Sequence, residues 1–493
     1  MRSASPQPAT SATSELFFNG IHAATGGYAH PPVPLAAFGQ LSLQRTQDRR
    51  QATEASRWRA AKLNPDLGPR EGIDPKDLAA AGWGVVFAVG ADPAVREALA
   101  PLLAHRRQQA TRLAEHHYRE LADADGYQAG ESKLAFLARH GVGPGPADPR
   151  RMPYYLLLVG GPEEIPFGFQ AQLGVQYAVG RLHFDHPEAY HRYALNVVAT
   201  ETSAQARGRA AFFGVETPGD PATELSASCL VEPLADFVAA DQPSWRVERV
   251  IGPGATKERL SHLLGGDDTP DLLFTASHGL ELDPGDPRQA HRQGALVCQD
   301  YPGPRAWRGP VRDAHIFSGE DLATSAQARG LIACHFACYG GGTPRHDPFV
   351  YPPGPPREIA SRPFVAALPQ RLLSLPAGAL AVVGHVERAW GYSFLWRGVG
   401  AQTQVFEDAC KRLLEGHPLG SALEPFSLRY AELAAGLADE QEQAEFGTGS
   451  PDPQHLPGLW TAVHDARNYV VLGDPAVRLP PLPAAHLLAP EIP

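Results

Sequence analysis

The sequence predicts an α/β protein of three layers, in which helices cover both faces of a mainly parallel sheet, with an α/β extension on the N-terminal side. Three observations indicate this class. Short apolar runs alternate with segments of helical periodicity, which is typical of βαβ units. The 493 residues are 43% apolar, enough for a sizeable core in one large domain or two. Glycine and proline number 49 and 48 without a period, so we expect many ordered loops.

The composition also excludes several classes of protein. The formal net charge is −11 and no block of Lys or Arg occurs, so we expect no nucleic-acid partner and no anionic membrane partner. The five cysteines have no repeated spacing, which argues against a disulfide framework and favours a reducing compartment. No apolar run approaches the length of a membrane span, and residues 1–15 lack the apolar core of a secretion signal. A soluble cytoplasmic protein is therefore expected.

The N-terminal part begins with polar sequence and then contains one strand and one helix. Residues 1–14 predict a disordered tail, and the basic, Gln-rich stretch 45–59 predicts a solvated helix. Residues 82–89 have the composition of a buried strand. Asp92-Pro93 then starts a helix, with Asp as the N-cap and Pro in the first turn. Residues 141–151, GVGPGPADPRR, form the clearest linker.

After this linker, strands and helices alternate. The predicted strands are the apolar runs at 154–159, 175–179, 210–215, 246–251, 271–276, 330–337, 379–384 and 469–472. The predicted helices lie near 222–239 and at 256–264, 361–374 and 401–415. Because ligands of such sheets bind at the carboxyl ends of the strands, the residues at those ends are the candidates for function.

Two strand ends carry side chains that suit nucleophilic catalysis. The apolar run 272–276 leads directly into Ser277-His278-Gly279, and the run 331–337 leads into Cys338 and a glycine triplet. On neighbouring parallel strands, His278 and Cys338 would emerge at the same edge, where an imidazole can take the proton of a thiol. The adjoining glycines let the backbone approach a substrate. The N–H groups of Gly279 and Cys338 are therefore the predicted oxyanion hole.

Other interpretations of the cysteines are weaker. Cys338 alone is consistent with a small buried hydrophobe, and only its pairing with His278-Gly279 favours a nucleophile. Cys334-His335-x-x-Cys338 is not expected to bind metal, because Cys334 and His335 point to opposite faces of a strand and no second pair with zinc spacing occurs. The glycine triplet lacks the lysine of a phosphate-binding loop. No metal and no cofactor are expected.

Three further polar residues are expected to be structural. Arg181 lies within a predicted strand and is expected to form an ion pair. His385 follows a strand and is expected to be a hydrogen-bonded core histidine. Asp474, in Gly473-Asp474-Pro475, is expected to close a strand with a turn.

The apolar blocks that end in His278-Gly279 and Ala337-Cys338, in that order, resemble the caspase-like (clan CD) cysteine peptidases, most closely their gingipain-like branch. Four further stretches are similar to gingipain motifs, in the order of that family: LLLVGGPEEIP (156–166), AVGRL (178–182), AVVGHVERAW (381–390) and YVVLGDPAVRL (469–479). The resemblance implies a caspase/gingipain-like fold. Its parts would be the tail (1–14), an N-terminal regulatory or accessory region (15–145), a gingipain-like first α/β subdomain (146–225) and a caspase-like catalytic subdomain (226–485).

The resemblance also implies roles for the matched residues. Cys338 would be the nucleophile, and His278 the general base and then the acid that protonates the leaving amine. The resulting activity is that of a cysteine endopeptidase that hydrolyses peptide bonds of a protein or peptide substrate through an acyl-enzyme.

Four residues are implied to line the substrate pocket. Trp390 matches a tryptophan that forms a pocket wall in the family. Gln172 and Gln176 stand where gingipains that cut after basic residues carry acids, so this chain departs from the family pattern there. Glu281, shortly after His278-Gly279, can supply negative charge to the pocket.

Caspase-like bacterial proteins often serve in defence or cell death, and by analogy we expect a regulated effector that an activating partner or small-molecule signal releases. The loops 283–312 and 340–363 flank the site and are candidate activation segments. Two alternatives stay open. The chain could be a non-catalytic caspase-like adaptor or sensor, or it could use the same two residues for acyl transfer.

Overall fold

The computed structural model describes residues 15–16, 19–30, 33–34, 67–349, 357–446 and 455–483. The predicted tail 1–14 and the predicted helix 45–59 lie outside these residues. Ten strands form one central sheet. In chain order they are β1 (Trp83–Phe87), β2 (Tyr118–Leu121), β3 (Tyr155–Val159), β4 (Ala178–Leu182), β5 (Arg209–Gly214), β6 (Arg246–Ile251), β7 (Leu272–Ala276), β8 (Ile332–Phe336), β9 (Ala381–His385) and β10 (Tyr469–Gly473).

The sheet changes direction once. Its order is β2-β1-β3-β4-β10-β9-β8-β7-β5-β6, and every neighbouring pair is parallel except β10 with β9. The carboxyl ends of β5 to β9 therefore share one edge, and those of β1 to β4 and β10 lie at the opposite edge. The predicted α/β class with a mainly parallel sheet is confirmed.

Helices cover both faces of the sheet. They are α1 (Leu78–Ala81), α2 (Pro93–Ala98), α3 (Ala100–Ala110), α4 (Lys133–Arg139), α5 (Phe167–Leu173), α6 (Pro187–Ser203), α7 (Pro221–Ser226), α8 (Glu232–Asp241), α9 (Lys257–Leu263), α10 (Gln289–Arg292), α11 (Ala367–Ser374), α12 (Gln404–Leu414), α13 (Leu419–Ala422), α14 (Glu424–Phe446) and α15 (His455–Arg467). Every residue of β1, β3, β4, β7 and β9 is buried, as a sheet covered on both faces requires.

The region predicted as an N-terminal extension is built into the same sheet. Strand β1 pairs with β3 over its full length, and β2 pairs with β1. The turn after β10 adds a polar tie, because the Asp474 carboxylate accepts bonds from Trp83 Nε1 at 2.9 Å and from Arg106 Nε at 2.6 Å. Asp474 is thus structural, as predicted. The division of the chain into functional regions stays a prediction.

A second, small sheet lies beyond the carboxyl end of β7. Its four short strands are Ile316–Phe317, Leu296–Val297, Gly279–Glu281 and Gly20–His22, in that spatial order. The strand Gly279–Glu281 follows β7 almost directly, so this sheet brings residues from near the N-terminus to the edge where β7 and β8 end. Within the described parts of the chain, no helix combines the length and apolar character needed to cross a membrane.

Candidate active site

His278 and Cys338 lie side by side at one edge of the main sheet. Strands β7 and β8 are parallel neighbours, with Ala276 opposite Phe336, and each candidate residue follows two positions later. The backbones of the two loops touch, since a Cβ atom on Gly279 would lie 1.8 Å from the carbonyl oxygen of Cys338. Only glycine fits at position 279. The two predicted strand ends therefore meet, as the sequence pattern indicated.

The imidazole of His278 has a carboxylate partner that the sequence analysis did not identify. Its Nε2 lies 2.6 Å from Oδ2 of Asp220, and both side chains are almost fully buried. The carboxylate also accepts bonds from the hydroxyls of Tyr28 at 2.7 Å and Thr223 at 3.1 Å. Burial would raise the pKa of Asp220, but the attraction of His278 and these hydrogen bonds outweigh it and hold the pKa at about 2.

This pairing fixes how the imidazole can act. A carboxylate accepts the Nε2 proton, so the neutral ring keeps its lone pair on Nδ1. Nδ1 of His278 is buried, and it has no hydrogen-bond partner among the residues that the structure describes. Nδ1 of His278 is therefore the imidazole nitrogen that can accept a proton, and His278 lies next to Cys338.

A sequence signal for Asp220 did exist. Asp220-Pro221 repeats the Asp-Pro helix start of Asp92-Pro93, and Asp220 caps α7 through the N–H of Ala222. It also follows β5, which is the neighbour of β7. The capping role accounts for an aspartate at this position, so the sequence alone gave no reason to assign it a second role.

The thiol of Cys338 is enclosed. Cys338 has no exposed surface, the N–H of Ala389 donates to Sγ at 3.3 Å, and Sγ lies 3.9 Å from the Ala389 carbonyl oxygen. Burial raises the pKa of the thiol well above its ordinary value, with a smaller opposing effect from the Ala389 N–H. Burial in this conformation therefore favours the neutral thiol over the thiolate.

Two non-glycine residues beside Cys338 have left-handed backbone conformations. Tyr339 has a φ of 60° and Glu387 a φ of 76°, and the N–H of Tyr339 donates to the carbonyl of Glu387 at 2.5 Å. Such conformations cost of order 1–3 kcal/mol each and cluster at functional sites. They hold the loop after Cys338 against the segment that follows β9.

The backbone N–H of Gly279, which is a predicted oxyanion donor, already forms a hydrogen bond to a carbonyl oxygen. It donates to the carbonyl of Asn19 at 3.0 Å. The backbone nitrogen of Cys338 would lie 3.0 Å from a Cβ on Gly279, so the two predicted donors are close neighbours. Their shared role as an oxyanion hole stays a prediction.

Two of the predicted pocket residues lie beside Cys338. Trp390 follows Ala389, donates its N–H to Oδ1 of Asp465 at 2.9 Å and packs its ring against Phe349. Glu281 is buried and accepts the hydroxyl of Tyr339 at 3.2 Å. Burial raises the pKa of Glu281, although Arg388 opposes this.

The other two predicted pocket residues are placed differently. Gln172 lies in α5 and Gln176 in the turn before β4, both in the other half of the sheet. The hydrogen bonds that hold Cys338, His278 and Asp220 involve neither amide. The pocket roles of all four residues stay predictions.

A buried ion pair lies behind the site. Arg388, next to Ala389, donates to both oxygens of Asp347, at 2.6 and 2.9 Å, and it also contacts His30 at 2.5 Å and Glu387 at 3.4 Å. No group of three or more His, Cys, Asp or Glu side chains in the described ranges is arranged to hold a metal ion.

Comparisons with known proteins return solved structures only. No family model matches the sequence, and no curated protein matches it. The crystal structure of the Arg-specific cysteine proteinase gingipain R (RgpB) is similar at 13% identity and a TM-score of 0.48, covering 83% of this chain and 80% of that one. A structure described as a protease (13%, TM-score 0.44, 81% and 78% covered) is also similar, as is the complex of the Porphyromonas gingivalis RgpB pro- and mature domains (12%, 0.42, 81% and 80%). At these identities the likeness concerns the fold alone.

Proposed function

We propose that this chain is a cysteine peptidase in which Cys338 is the nucleophile and His278 the general base. The observation that carries the proposal is the setting of His278. Its Nε2 is bonded to buried Asp220, its Nδ1 has no partner among the described residues, and its neighbour Gly279 is in backbone contact with Cys338. A base that is oriented by a third group beside a nucleophile is the arrangement that activates a thiol.

The first half of the reaction forms an acyl-enzyme. His278 takes the proton of Cys338, and the thiolate adds to the carbonyl carbon of the substrate peptide. The N–H groups of Gly279 and Cys338 stabilise the oxyanion that forms. The C–N bond then breaks, and the amine leaves with the proton that His278 returns to it.

The second half releases the acid. His278 takes a proton from water, the hydroxide adds to the thioester, and collapse of the intermediate expels the Cys338 thiolate, which recovers the proton from His278. Asp220 stays ionised throughout. It orients the imidazole and stabilises the imidazolium, and it does not itself carry the proton.

The test uses a peptide with a thiol-reactive carbonyl warhead. Covalent labelling at Cys338, located by peptide mass spectrometry, supports the proposal if it is lost in His278→Ala and retained in Cys410→Ala. Cys410 is a suitable control, because it is also buried but lies in α12. A folded wild-type chain that takes no label at Cys338, even after mild proteolysis or in dilute urea, contradicts the proposal and favours the adaptor alternative.

Endoproteolysis and acyl transfer share the acyl-enzyme. The enclosed arrangement of the site favours neither, so product analysis with an added amine distinguishes them: hydrolysis gives the free acid, and transfer gives the new amide. The role in bacterial defence, the activating partner or signal and the cytoplasmic location stay expectations from the sequence.

A further inference from the structure

Residues 19–30, here the N-terminal segment, lie across the candidate active site. Gly20–His22 pair in parallel with Gly279–Glu281, and the N–H of Ala23 donates to the carbonyl of Glu281 at 2.8 Å. The side chain of Ile21 is fully buried. The segment thus lies beside the strand that directly follows His278 and adds one strand to its sheet, as a bound peptide does when it pairs with a sheet edge.

The peptide unit at Asn19 is the part nearest to Cys338. Its N–H donates to the carbonyl oxygen of Ala389 at 3.3 Å, and its own carbonyl accepts the N–H of Gly279 at 3.0 Å. That same Ala389 oxygen is 3.9 Å from the sulfur of Cys338. The carbonyl of Asn19 is therefore held by the predicted oxyanion donor, while its N–H is held by the residue that contacts the nucleophile.

The rest of the segment covers the base. The hydroxyl of Tyr28 donates to Asp220 at 2.7 Å, and the Tyr28 ring meets the imidazole of His278 edge-on, with ring centres 6.0 Å apart. The segment is anchored on its outer side by the N–H of Val311, which donates to the carbonyl of Ala23 at 2.8 Å. Nucleophile, base and orienting carboxylate are all reached by this one stretch of chain.

We propose that the peptide bond between Asn19 and Gly20 is cleaved by the chain's own site. This inference rests on the proposed function. Cys338 adds to the carbonyl carbon of Asn19, its proton passes through His278 to the nitrogen of Gly20, and the C–N bond breaks. Water then hydrolyses the thioester, which leaves a carboxylate on Asn19, a free amine on Gly20 and the thiol restored.

The same geometry names a substrate class. Asn19 is only 4% exposed, so the residue whose carbonyl accepts the N–H of Gly279 is a buried residue with an uncharged amide side chain. Substrates in trans are therefore peptides with asparagine before the cleaved bond.

The first experiment follows the purified full chain by intact mass and by sequencing of its termini during incubation at neutral pH. We expect a product that begins at Gly20, at a rate independent of protein concentration, and a rate at least about tenfold lower in Asn19→Ala. Cys410→Ala should behave like the wild type. Since Asn-Gly bonds also break down slowly without an enzyme, Cys338→Ala is the essential control, and equal cleavage in that variant overturns the inference.

The second experiment separates this inference from the peptidase proposal. Peptides spanning Phe17–His22, with Asn, Gln, Asp or Arg at the position of Asn19, are offered in trans, and kcat/KM should be highest for Asn. If the warhead labels Cys338 but the Asn19–Gly20 bond stays intact and Arg peptides are preferred, the inference is wrong and the peptidase stands. If Cys338 takes no label and no peptide is cut, both proposals fail.

Discussion

Nε2 of His278 lies 2.6 Å from Oδ2 of Asp220, and only 2% and 1% of these side chains are exposed. A charge-assisted bond of this length in a buried setting holds the ring in one orientation and one tautomer. In the proposed mechanism, the nitrogen that takes the proton of Cys338 is thereby held in place before a substrate binds. Asp220 is accordingly the positioning residue of the candidate site.

Replacing Asp220 with Asn should lower kcat by roughly 10²- to 10⁴-fold, with KM changed much less, because the amide can no longer hold the imidazole in its reactive tautomer. Steady-state kinetics on an asparagine peptide measure both constants. Asp271→Asn is the matched control: Asp271 is also buried, but it bonds the N–H groups of Arg207 and Arg209 at the start of β7. An unchanged kcat in folded Asp220→Asn would contradict the assignment.

Gly279→Ala should abolish warhead labelling and lower stability by about 1–3 kcal/mol, because the added methyl group would overlap the carbonyl oxygen of Cys338. Chemical denaturation and labelling kinetics check the two effects. Gly168→Ala adds the same methyl group in α5, where no described atom outside the neighbouring backbone of that helix lies within 4 Å, and should leave both quantities nearly unchanged. Normal labelling in Gly279→Ala would show that the backbones need not touch.

Glu387 should make stability depend on pH. Burial raises its pKa from 4.5 to about 8, with Arg388 opposing the rise. The folded state therefore binds a proton that the unfolded chain releases, so the stability present below about pH 4.5 is lost as the pH rises towards 8.

Glu387→Gln replaces this titrating carboxyl group with an amide that does not titrate. The free energy of unfolding of the variant, relative to the wild type, should rise by a few kcal/mol between pH 5 and pH 9. Urea unfolding at several pH values measures it. Glu358→Gln, at a half-exposed side chain, should give a nearly constant difference, and a flat profile for Glu387→Gln would contradict the buried, protonated carboxyl.

Asp474→Ala should destabilise the fold by about 3–5 kcal/mol, because it removes the bond to Trp83 and leaves the buried guanidinium of Arg106 with Glu201 as its remaining carboxylate. Asp313→Ala removes an ion pair of similar length, to Arg292, but its side chain is 75% exposed, so the loss should stay below about 1 kcal/mol. Urea unfolding compares the variants. Equal losses would mean that burial of the cluster does not matter.

The edge at which Cys338 and His278 meet could be predicted because each follows a largely apolar run, and such runs form the inner strands of a parallel sheet. The structural role of His385 could be predicted for the same reason, and it is buried with its Nε2 bonded to the carbonyl of Asp465 at 3.0 Å. Arg181 is also structural, but its partners are the carbonyls of Gly160 and Ile165, together with Gln170, instead of a carboxylate.

What the sequence could not provide are the contacts between distant segments. Nothing in the composition of residues 20–22 indicates that they pair with 279–281, because three residues carry too little pattern to set a partner or a register. Asp220 was missed for a related reason, since its partner His278 lies 58 positions away along the chain. The order of the strands likewise depends on which apolar faces pack best, which a single sequence does not specify.

The reversal between β9 and β10 has a consequence for biosynthesis. Among the described strands of the main sheet, only β10 hydrogen-bonds to both β4 and β9. In the described part of the chain, therefore, no backbone ladder joins the half that carries Cys338 to the other half until residues 469–473 have left the ribosome. Until then β4 and β9 present unpaired edges, which invite other chains to pair with them. A nascent chain therefore completes the main sheet only when its last strand, β10, has been synthesised. Chains truncated before Tyr469 should be rescued by a co-expressed C-terminal fragment that contains β10.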